Sequence, residues 1–386
     1  MLNSNDGQIT WSVPVGGLTG APDHLWFRLP EEHAPLVTDR ADPAVIGLLI
    51  PAMHAAEPMH VSGPVTDELA HNLTHGYQHI LETVIRGLRR VNVDATNTTP
   101  GGEPARGVGT GFSAGVDSYA VLAEHFFQPV PQDLRVTHLT FFNVGSHTSG
   151  ERGRSVFRSH RDRLVPVAQE IGLPFIPVDS NLDDFYGFTN FQQTNGPRNL
   201  SAASLLQAGL GRYYLAGSVS FPNITVRRLH DTAFSEPISM PLLATRQFRP
   251  ISHGDQYTRV EKTLMVADIP VARTSLNVCT NPLPDGGNCS HCPKCARTEL
   301  TLEISNRLEE FRVVFDIAAY RKSRTSFMDW VVTQRSSVLA GEIREQARRA
   351  GFRLPPAPVA LTRRGVTTGR RKALSLLRRA RRRLSR

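Results

Sequence analysis

The chain of 386 residues has no run of eighteen apolar residues, which argues against an ordinary transmembrane helix. Its first residues, Met-Leu-Asn-Ser-Asn-Asp, lack the basic segment followed by an apolar segment that is typical of a secretion signal. We therefore expect a cytoplasmic protein without a transmembrane segment. Cysteine is scarce, with four residues, whereas 40% of the chain is hydrophobic, so a large core should form without disulfides.

Two common nucleotide-binding motifs are absent as well. No Gly-x-x-x-x-Gly-Lys-[Ser/Thr] segment occurs, which excludes the usual P-loop NTPases. The Gly-x-Gly at 109–111 does not continue to a third glycine, because Ala114 occupies that position. The sequence therefore disfavours a dinucleotide-dependent dehydrogenase.

The most informative segment is the loop Ser113-Ala-Gly-Val-Asp-Ser118, which lies between a strand-like segment, 108–112, and an apolar segment of helical spacing, 119–127. A helix N-terminus presents unpaired N–H groups and the positive end of the helix dipole, and small residues let an anion approach the backbone. Ser113 and Ser118 can donate to phosphate oxygens, and Asp117 can hold Mg²⁺ or orient the loop. The alternative is an ordinary strand-to-helix turn with an Asp or Ser cap.

All four cysteines fall in one segment, Cys279-x9-Cys289-x2-Cys292-x2-Cys295. In a chain without a secretion signal this clustering favours a metal over disulfides, and four thiolates suit a closed, structural Zn²⁺ site. We expect Cys279 to follow a strand, 273–278, and His291 to be a neighbour of the metal and not a ligand. Redox-active dithiols and buried free cysteines are the alternatives.

The formal net charge of +9 comes from the C-terminal segment. Residues 363–386 contain eleven Lys or Arg and no acidic residue, so the rest of the chain sums to about −2. Such a basic tail is compatible with an anionic partner, either RNA or a membrane surface. A solvated, disordered extension is the alternative.

Strand-like and helical segments alternate after a linker rich in Thr, Pro and Gly at 94–104, which predicts an α/β domain with a parallel sheet. Before the linker, short strand-like segments surround one amphipathic helix over 66–89. The predicted units are a smaller N-terminal α+β domain (1–100), a nucleotide-binding domain (105–315), a helical segment (316–362) and a basic tail (363–386). The nucleotide-binding domain includes the four-cysteine segment, 279–295, as a zinc knuckle.

The chain resembles the PP-loop ATP pyrophosphatases, the adenine nucleotide alpha hydrolase-like family, and within it the 7-cyano-7-deazaguanine synthase branch, over about 108–304. The segments that carry the resemblance are the Ser113–Ser118 loop, Thr140-Phe-Phe-Asn-Val-Gly-Ser-His147, Pro197-Arg-Asn199, Thr258-Arg-Val-Glu261 and the cysteine segment with Arg297. The resemblance implies a Rossmann-like, three-layer α/β domain of the HUP type.

Three departures from the branch leave the substrate open. Ala114 stands where the family has its first glycine of Ser-Gly-Gly-x-Asp-Ser, and it fits provided that the position does not need positive φ. The branch's Pro-Gly-Arg-Asn is Gly196-Pro-Arg-Asn199 here, and its Tyr-Pro-Asp is Phe221-Pro-Asn223, without the acidic residue. Residues 1–100 and the basic tail have no counterpart in the short synthases.

The resemblance implies that ATP is cleaved between its α and β phosphates, giving an adenylate of a substrate oxygen and pyrophosphate, before a nitrogen or sulfur nucleophile displaces AMP. It implies ATP, Mg²⁺ and Zn²⁺ as cofactors. The expected cofactor-binding residues are Ser113, Ala114, Gly115, Val116, Asp117, Ser118 and Asn143, and the expected catalytic residues are Asp117, Ser118, Arg198 and Arg259. For each arginine a surface ion pair is the alternative, and His147 could act as an acid or base.

Two functions of different classes follow from these features. The first is an AMP-forming enzyme that activates a small molecule, whether for nitrile or amide formation, sulfur insertion or other acyl-adenylate chemistry. The second is a zinc-knuckle nucleic-acid-binding or tRNA-modifying protein that uses the basic tail. The intact Ser-x-Gly-x-Asp-Ser favours the enzyme.

Overall fold

The structure is a computed structural model that describes residues 2–147, 150–281, 283 and 286–365. By its internal contacts the chain divides into two units, Met1–Tyr257 and Thr258–Arg386. The expected basic tail lies outside the described residues from 366 onward. The domain boundaries that the sequence suggests near residues 100 and 315 stay a prediction.

The strands of the chain all lie in the first unit, as far as the described residues go. They are β1 (Leu2–Asn5), β2 (Gln8–Pro14), β3 (His24–Pro30), β4 (Met59–Thr66), β5 (Val93–Thr99), β6 (Gly107–Gly111), β7 (His138–Phe142), β8 (Phe175–Ser180), β9 (Leu210–Ala216) and β10 (Arg249–His253). Eight of them form one sheet, in the order β1-β2-β3-β8-β7-β6-β9-β10, and β4 pairs with β5 in a separate parallel sheet.

The helices of the first unit fall between these strands. They are α1 (Asp42–Ala55), α2 (Asp67–Asn72), α3 (Gln78–Val84), α4 (Val116–Leu122), α5 (Gly150–Ile171), α6 (Asn195–Ser204) and α7 (Glu236–Ser239). A π-helical turn, Leu73–Tyr77, joins α2 to α3, so the helix predicted over 66–89 is present between residues 67 and 84. A second π-helical turn, Ala123–Phe127, extends α4.

The predicted α/β class is confirmed at the level of a large, mostly parallel central sheet with helices. The strands β8, β7, β6, β9 and β10 are parallel to one another. Counted along the chain, their spatial order is 3-2-1-4-5, so the direction of winding reverses between β6 and β9. In doubly wound sheets a crevice opens at this reversal, beside the carboxyl ends of the strands. The loop that follows Gly111 of β6 begins there.

The first three strands extend the same sheet. β3 is antiparallel to β8, with Phe27 opposite Ser180 and Arg28 opposite Asp179, and β2 and β1 continue outward as a meander. Residues 1–100 thus contribute both to the central sheet and to the separate β4–β5 sheet.

Helix α1 lies in the apolar core, since every residue from Asp42 to Met53 is buried. A helix that is apolar around its whole circumference is stable only inside a core. Close packing against α6 depends on Gly47, because a Cβ atom there would lie 2.6 Å from Ser201 Oγ. Ser201 Oγ in turn donates to the Pro43 carbonyl oxygen at 2.6 Å.

The second unit is helical in its described residues. Its helices are α8 (Arg259–Ala267), α9 (Ala272–Ser275), α10 (Pro293–Ile304), α11 (Ile317–Thr333) and α12 (Val338–Arg349). The strand predicted over 273–278 is wrong, because 272–275 is helical and the Val278 N–H bonds to the Asn288 side chain at 2.9 Å instead of to a neighbouring strand. None of the described helices is long and apolar enough to cross a membrane.

The buried carboxyl group of Asp42 joins three parts of the first unit. It accepts hydrogen bonds from Thr66 N at 2.8 Å, Thr66 Oγ1 at 2.6 Å and Gln207 Nε2 at 3.0 Å. The start of α1, the end of β4 and the segment after α6 are therefore held by one side chain that is 1% exposed.

We expect Asp42→Asn to lower the free energy of unfolding by about 1–3 kcal/mol, because the new NH₂ group would face a buried donor that then has no acceptor. Asp39→Asn, at an exposed position in the preceding segment, is the matched control and should change stability by less than about 0.5 kcal/mol. Urea unfolding followed by circular dichroism measures both. Equal effects of the two variants would contradict the role of the network.

Candidate functional site

The residue that joins the loop after β6 to helix α4 is a glycine. Gly115 is the N-cap, with φ −84° and ψ 167°, so it has no side chain to accept from the N–H groups of the first turn. Ser118 is buried, and its hydroxyl donates to the Gly115 carbonyl oxygen at 3.0 Å. Ser113 is exposed and Asp117 half-buried. This geometry is that of a small-residue turn opening a helix, as the sequence predicts.

Ala114 has φ +56°, in the left-handed region. Glycine adopts this conformation freely, whereas a residue with a Cβ atom pays about 1–2 kcal/mol of strain. The position does require positive φ, so alanine fits there only with strain. Strained residues of this kind cluster at ligand-binding and catalytic sites.

Asn143 follows β7 and lies beside the loop, because β6 and β7 are paired up to Gly111 and Thr140. Its side chain donates to Asp179 Oδ1 at 2.6 Å, and its carbonyl oxygen accepts from Ser180 Oγ at 2.6 Å. The ends of β7 and β8 are thus tied by polar side chains. Sequence reasoning missed Asp179, although an aspartate directly after a predicted strand is a usable signal.

Arg198 is an interior cation and not part of a surface ion pair. Its side chain is 1% exposed, and Nη1 pairs with Asp183 and donates to the Val144 carbonyl oxygen at 3.2 Å. The guanidinium lies 3.8 Å from the centroid of the Tyr186 ring. Burial lowers the pKa of Arg198, whereas the contacts with Tyr186 and Asp183 raise it. Its Nε has no hydrogen-bond partner among the described residues, so the group keeps a free donor.

The turn after β7 needs a glycine to approach this arginine. Gly145 has φ +116°, and a Cβ atom there would overlap both Arg198 Nη1 and Asp183 Oδ1. The backbone between Asn143 and His147 is therefore held against the buried ion pair.

His147 is buried, contrary to the exposure that is common for a loop histidine. Its ring packs against Phe141, Phe157 and His160, with centroids 5.2, 5.7 and 5.3 Å away. Burial, with a contribution from His160, lowers the pKa of His147 to about 4. The ring is therefore neutral at pH 7 and could accept a proton but not supply one.

Glu236 is a further buried group that sequence reasoning missed. Its carboxyl group lies against Gly196 in the first turn of α6, where a Cβ atom would be 2.7 Å from Glu236 Oε1. Burial, together with Asp231 and Asp255, raises the pKa of Glu236 to about 8, so the group is mostly protonated at pH 7. No local sequence pattern predicts that Glu236 is buried, because the burial depends on a helix that begins about forty residues earlier.

Asp255 and Gly217 lie just after β10 and β9. A Cβ atom at Gly217 would overlap the Asp255 carboxylate, and Gly217 N donates to the His253 carbonyl oxygen at 2.8 Å. Ser252 Oγ donates to Asp255 Oδ2. Polar groups therefore follow β6, β7, β8 and β10 at the same edge of the sheet.

The four cysteines converge in the second unit. One ligand atom from each lies within 4.8 Å of the others, and Cys279 Sγ is 3.8 Å from Cys292 Sγ. Two thiolates bound at about 2.3 Å to a tetrahedral zinc ion would lie about 3.8 Å apart, so the donor set fits Zn²⁺. His291 is exposed, with Nδ1 2.6 Å from the Cys289 carbonyl oxygen, and is not part of the group.

Backbone N–H groups point at the sulfur atoms, as in knuckles that hold a metal. The donors are Cys289 N to Cys279 Sγ at 3.4 Å, Cys292 N to Cys289 Sγ at 3.3 Å and Cys295 N to Cys292 Sγ at 3.5 Å. Asn288 closes the loop by donating to the Leu276 and Val314 carbonyl oxygens at 2.8 and 3.0 Å.

Arg259 is the first residue of α8 and also belongs to the second unit. Thr258 and Glu261 form a capping box, each side chain bonding the other's backbone N–H, at 3.2 and 2.7 Å. Helix capping therefore accounts for the Thr and Glu of Thr258-Arg-Val-Glu261. The loop residues, Asn143 and Arg198 belong to the first unit, and the phosphate-binding role of Arg259 stays a prediction.

Comparison with known proteins finds no matching family model and no significant match among curated proteins.

We expect Ala114→Gly to leave the free energy of unfolding unchanged or to raise it by up to about 1 kcal/mol, because relief of strain exceeds the added backbone entropy. Ala120→Gly, inside α4, is the control and should lose about 1 kcal/mol or more. Thermal unfolding of both variants measures the difference. A loss at position 114 as large as at position 120 would show that the left-handed backbone carries no strain.

We expect the cysteine group to bind Co²⁺ with an intense thiolate charge-transfer band, and Zn²⁺ to displace it. Cys295→Ser removes the most deeply buried ligand, at 0% exposure, and should weaken the band and the affinity for Co²⁺ and lower the melting temperature. His291→Gln is the control and should retain both. A band and affinity in Cys295→Ser equal to those of the wild type, or a band that weakens in His291→Gln, would contradict the four-cysteine assignment.

Proposed function

We propose that the first unit is an ATP pyrophosphatase of the PP-loop type, with a Rossmann-like HUP fold, which activates a substrate carboxylate or carbonyl oxygen as an adenylate. The observation that carries the proposal is the loop Ser113–Ser118 at the reversal of strand order between β6 and β9. Ligands of doubly wound sheets bind at this point. The family resemblance of the loop supplies the choice of ATP.

The local chemistry of the loop supports a polyphosphate ligand. α4 and the π-helical turn after it form one continuous helical segment, Val116 to Phe127, whose N-terminus opens at the loop. Its dipole and first-turn N–H groups stabilise negative charge, and Ser113 adds a hydroxyl donor, whereas the Ser118 hydroxyl donates to the Gly115 carbonyl oxygen. Asp117, in the first turn, would hold Mg²⁺, which neutralises charge on departing pyrophosphate.

In the proposed reaction a substrate oxygen attacks the α phosphorus of ATP. The bond from that phosphorus to the α–β bridging oxygen breaks, and pyrophosphate leaves with the electron pair. A nitrogen or sulfur nucleophile then attacks the activated carbon, and AMP leaves. The first-turn N–H groups stabilise the developing charge on pyrophosphate, which is where preorganised donors accelerate a reaction most.

Asn143 and Arg198 have distinct roles in this proposal. Asn143, tied to Asp179 beside the loop, contacts the adenine or the ribose. Arg198 positions the turn after β7 through Val144 and Gly145, and its free Nε–H can contact phosphate only after a local rearrangement, because the side chain is 1% exposed. We therefore expect it to matter first for positioning.

We expect α,β-methylene-ATP with Mg²⁺ to bind the full chain, and Asp117→Asn to weaken binding at least tenfold. The bridging carbon prevents cleavage, so the measurement does not need the unidentified acceptor. Pyrophosphate release with ATP and a panel of carboxylates should fall by about 10²-fold or more in the same variant. Asp133→Asn, at an exposed position of the same unit, is the matched control and should bind as the wild type does.

Isothermal titration calorimetry measures the affinity, and circular dichroism with the cobalt spectrum of the cysteine group shows that both units stay folded. Equal affinity of Asp117→Asn and the wild type for the nucleotide, or no binding by either, would rule out the proposed function.

A further inference from the structure

A second group of metal-ligating side chains lies in the first unit, apart from the Ser113–Ser118 loop. It consists of Glu124 and His125 on the π-helical turn after α4 and of His253 at the end of β10; one ligand atom from each lies within 4.8 Å of the others. π-helical turns are rare and are frequent at functional sites.

Hydrogen bonds fix which nitrogen of each ring carries a proton. His125 Nδ1 is 3.1 Å from the Leu134 carbonyl oxygen, so Nδ1 is the donor and Nε2 of the neutral ring has a lone pair. His253 Nε2 is 2.6 Å from Glu124 Oε2, so Nε2 is the donor and Nδ1 of the neutral ring has a lone pair.

The two remaining ring nitrogens face each other, since His125 Nε2 is 3.4 Å from His253 Nδ1. When both rings are neutral these nitrogens are two lone pairs, which a cation between them would hold together. Two nitrogen ligands at about 2.0–2.1 Å from a tetrahedral zinc ion are separated by about 3.3–3.4 Å. The observed separation is therefore that of a pair of metal ligands.

The surrounding residues hold the rings as metal-bound histidines are held. A backbone carbonyl or a carboxylate on the other nitrogen is the usual partner of such a ligand, and Leu134 and Glu124 supply one of each. Tyr257 OH and Gln256 Nε2, the latter at 3.0 Å, donate to the Glu124 carboxylate and fix its position.

The ring of His125 is also fixed from its face. Tyr214 stacks on it with centroids 4.2 Å apart. Burial, with contributions from His253 and Arg212, lowers the pKa of His125, whereas Glu124 and the Leu134 carbonyl oxygen raise it. The side chains of His253 and Glu124 are 15% and 24% exposed, which leaves a path for an ion and for water ligands.

We propose that His125 Nε2 and His253 Nδ1 bind a divalent transition metal ion, Zn²⁺ fitting best, with water completing the coordination and Glu124 orienting His253. The site has open positions, unlike the closed cysteine group, so it suits an ion that exchanges or polarises a ligand. It shares no residue with the proposed nucleotide loop.

Two variants test the site while conserving the hydrogen bonds that hold it. His125→Asn keeps a donor where Nδ1 meets Leu134 but removes Nε2, and His253→Gln keeps a donor where Nε2 meets Glu124 but removes Nδ1. His230→Gln, at an exposed histidine of the same unit, is the control.

We expect the full chain to bind two equivalents of Zn²⁺ or Co²⁺ and each site variant to bind one, measured by elemental analysis and by cobalt titration. The equivalent that is lost should give only weak visible bands, whereas the thiolate charge-transfer band stays. Binding of one equivalent by the wild type, or equal stoichiometry in the wild type and both variants, would overturn the proposal and leave a shared proton between the rings.

Discussion

The reversal of strand order between β6 and β9 is the constraint on which the rest of the first unit depends. The connections after such neighbouring strands leave in opposite directions, and in doubly wound sheets a crevice forms between them at the carboxyl ends of the strands. The turn that follows β6 opens into this space. Side chains at or just after the ends of β7, β8 and β10 reach the same edge because all these strands are parallel, among them Asn143, Asp179 and Asp255. Topology thus gathers polar groups that are far apart in the sequence.

A buried cation fixes one side of that edge. Removing a guanidinium from water costs several kcal/mol, which only close partners can offset. Arg198 obtains a carboxylate from Asp183, a carbonyl oxygen from Val144 and the face of Tyr186. Arg198 lies on helix α6 and its partners come from two other segments, the turn after β7 and the segment between β8 and α6, so the three segments hold one another in place. Gly145 is the residue that lets them approach.

Local patterns predicted the alternation of strands and helices and the turn before α4, because periodicity and small residues are local properties. They did not predict that the first three strands join the central sheet, since Phe27 and Ser180 pair across more than 150 residues without any local signal. The strand predicted before Cys279 is absent for a related reason. The Val278 N–H donates to the Asn288 side chain, and this contact overrides the β propensity of the segment. Local patterns likewise predicted neither the buried carboxyl group of Glu236 nor the contact between Glu124 and His253.

Left-handed backbone occurs both in the Ser113–Ser118 loop and in the cysteine segment. Among the described non-glycine residues, positive φ occurs at Asp6, Ala56, Ala114, Ser290 and Asn306. Three of these have ordinary explanations, because Asp6 lies in the turn between β1 and β2, while Ala56 and Asn306 follow helices, where left-handed residues end the hydrogen-bonded ladder. Of the other two, Ala114 lies in the turn before helix α4 at the strand reversal, and Ser290 lies in the cysteine segment. Packing alone does not favour an alanine in the left-handed conformation before a helix, because the strain lowers stability. A turn that exposes its N–H groups to a ligand needs this backbone conformation whichever residue occupies the position.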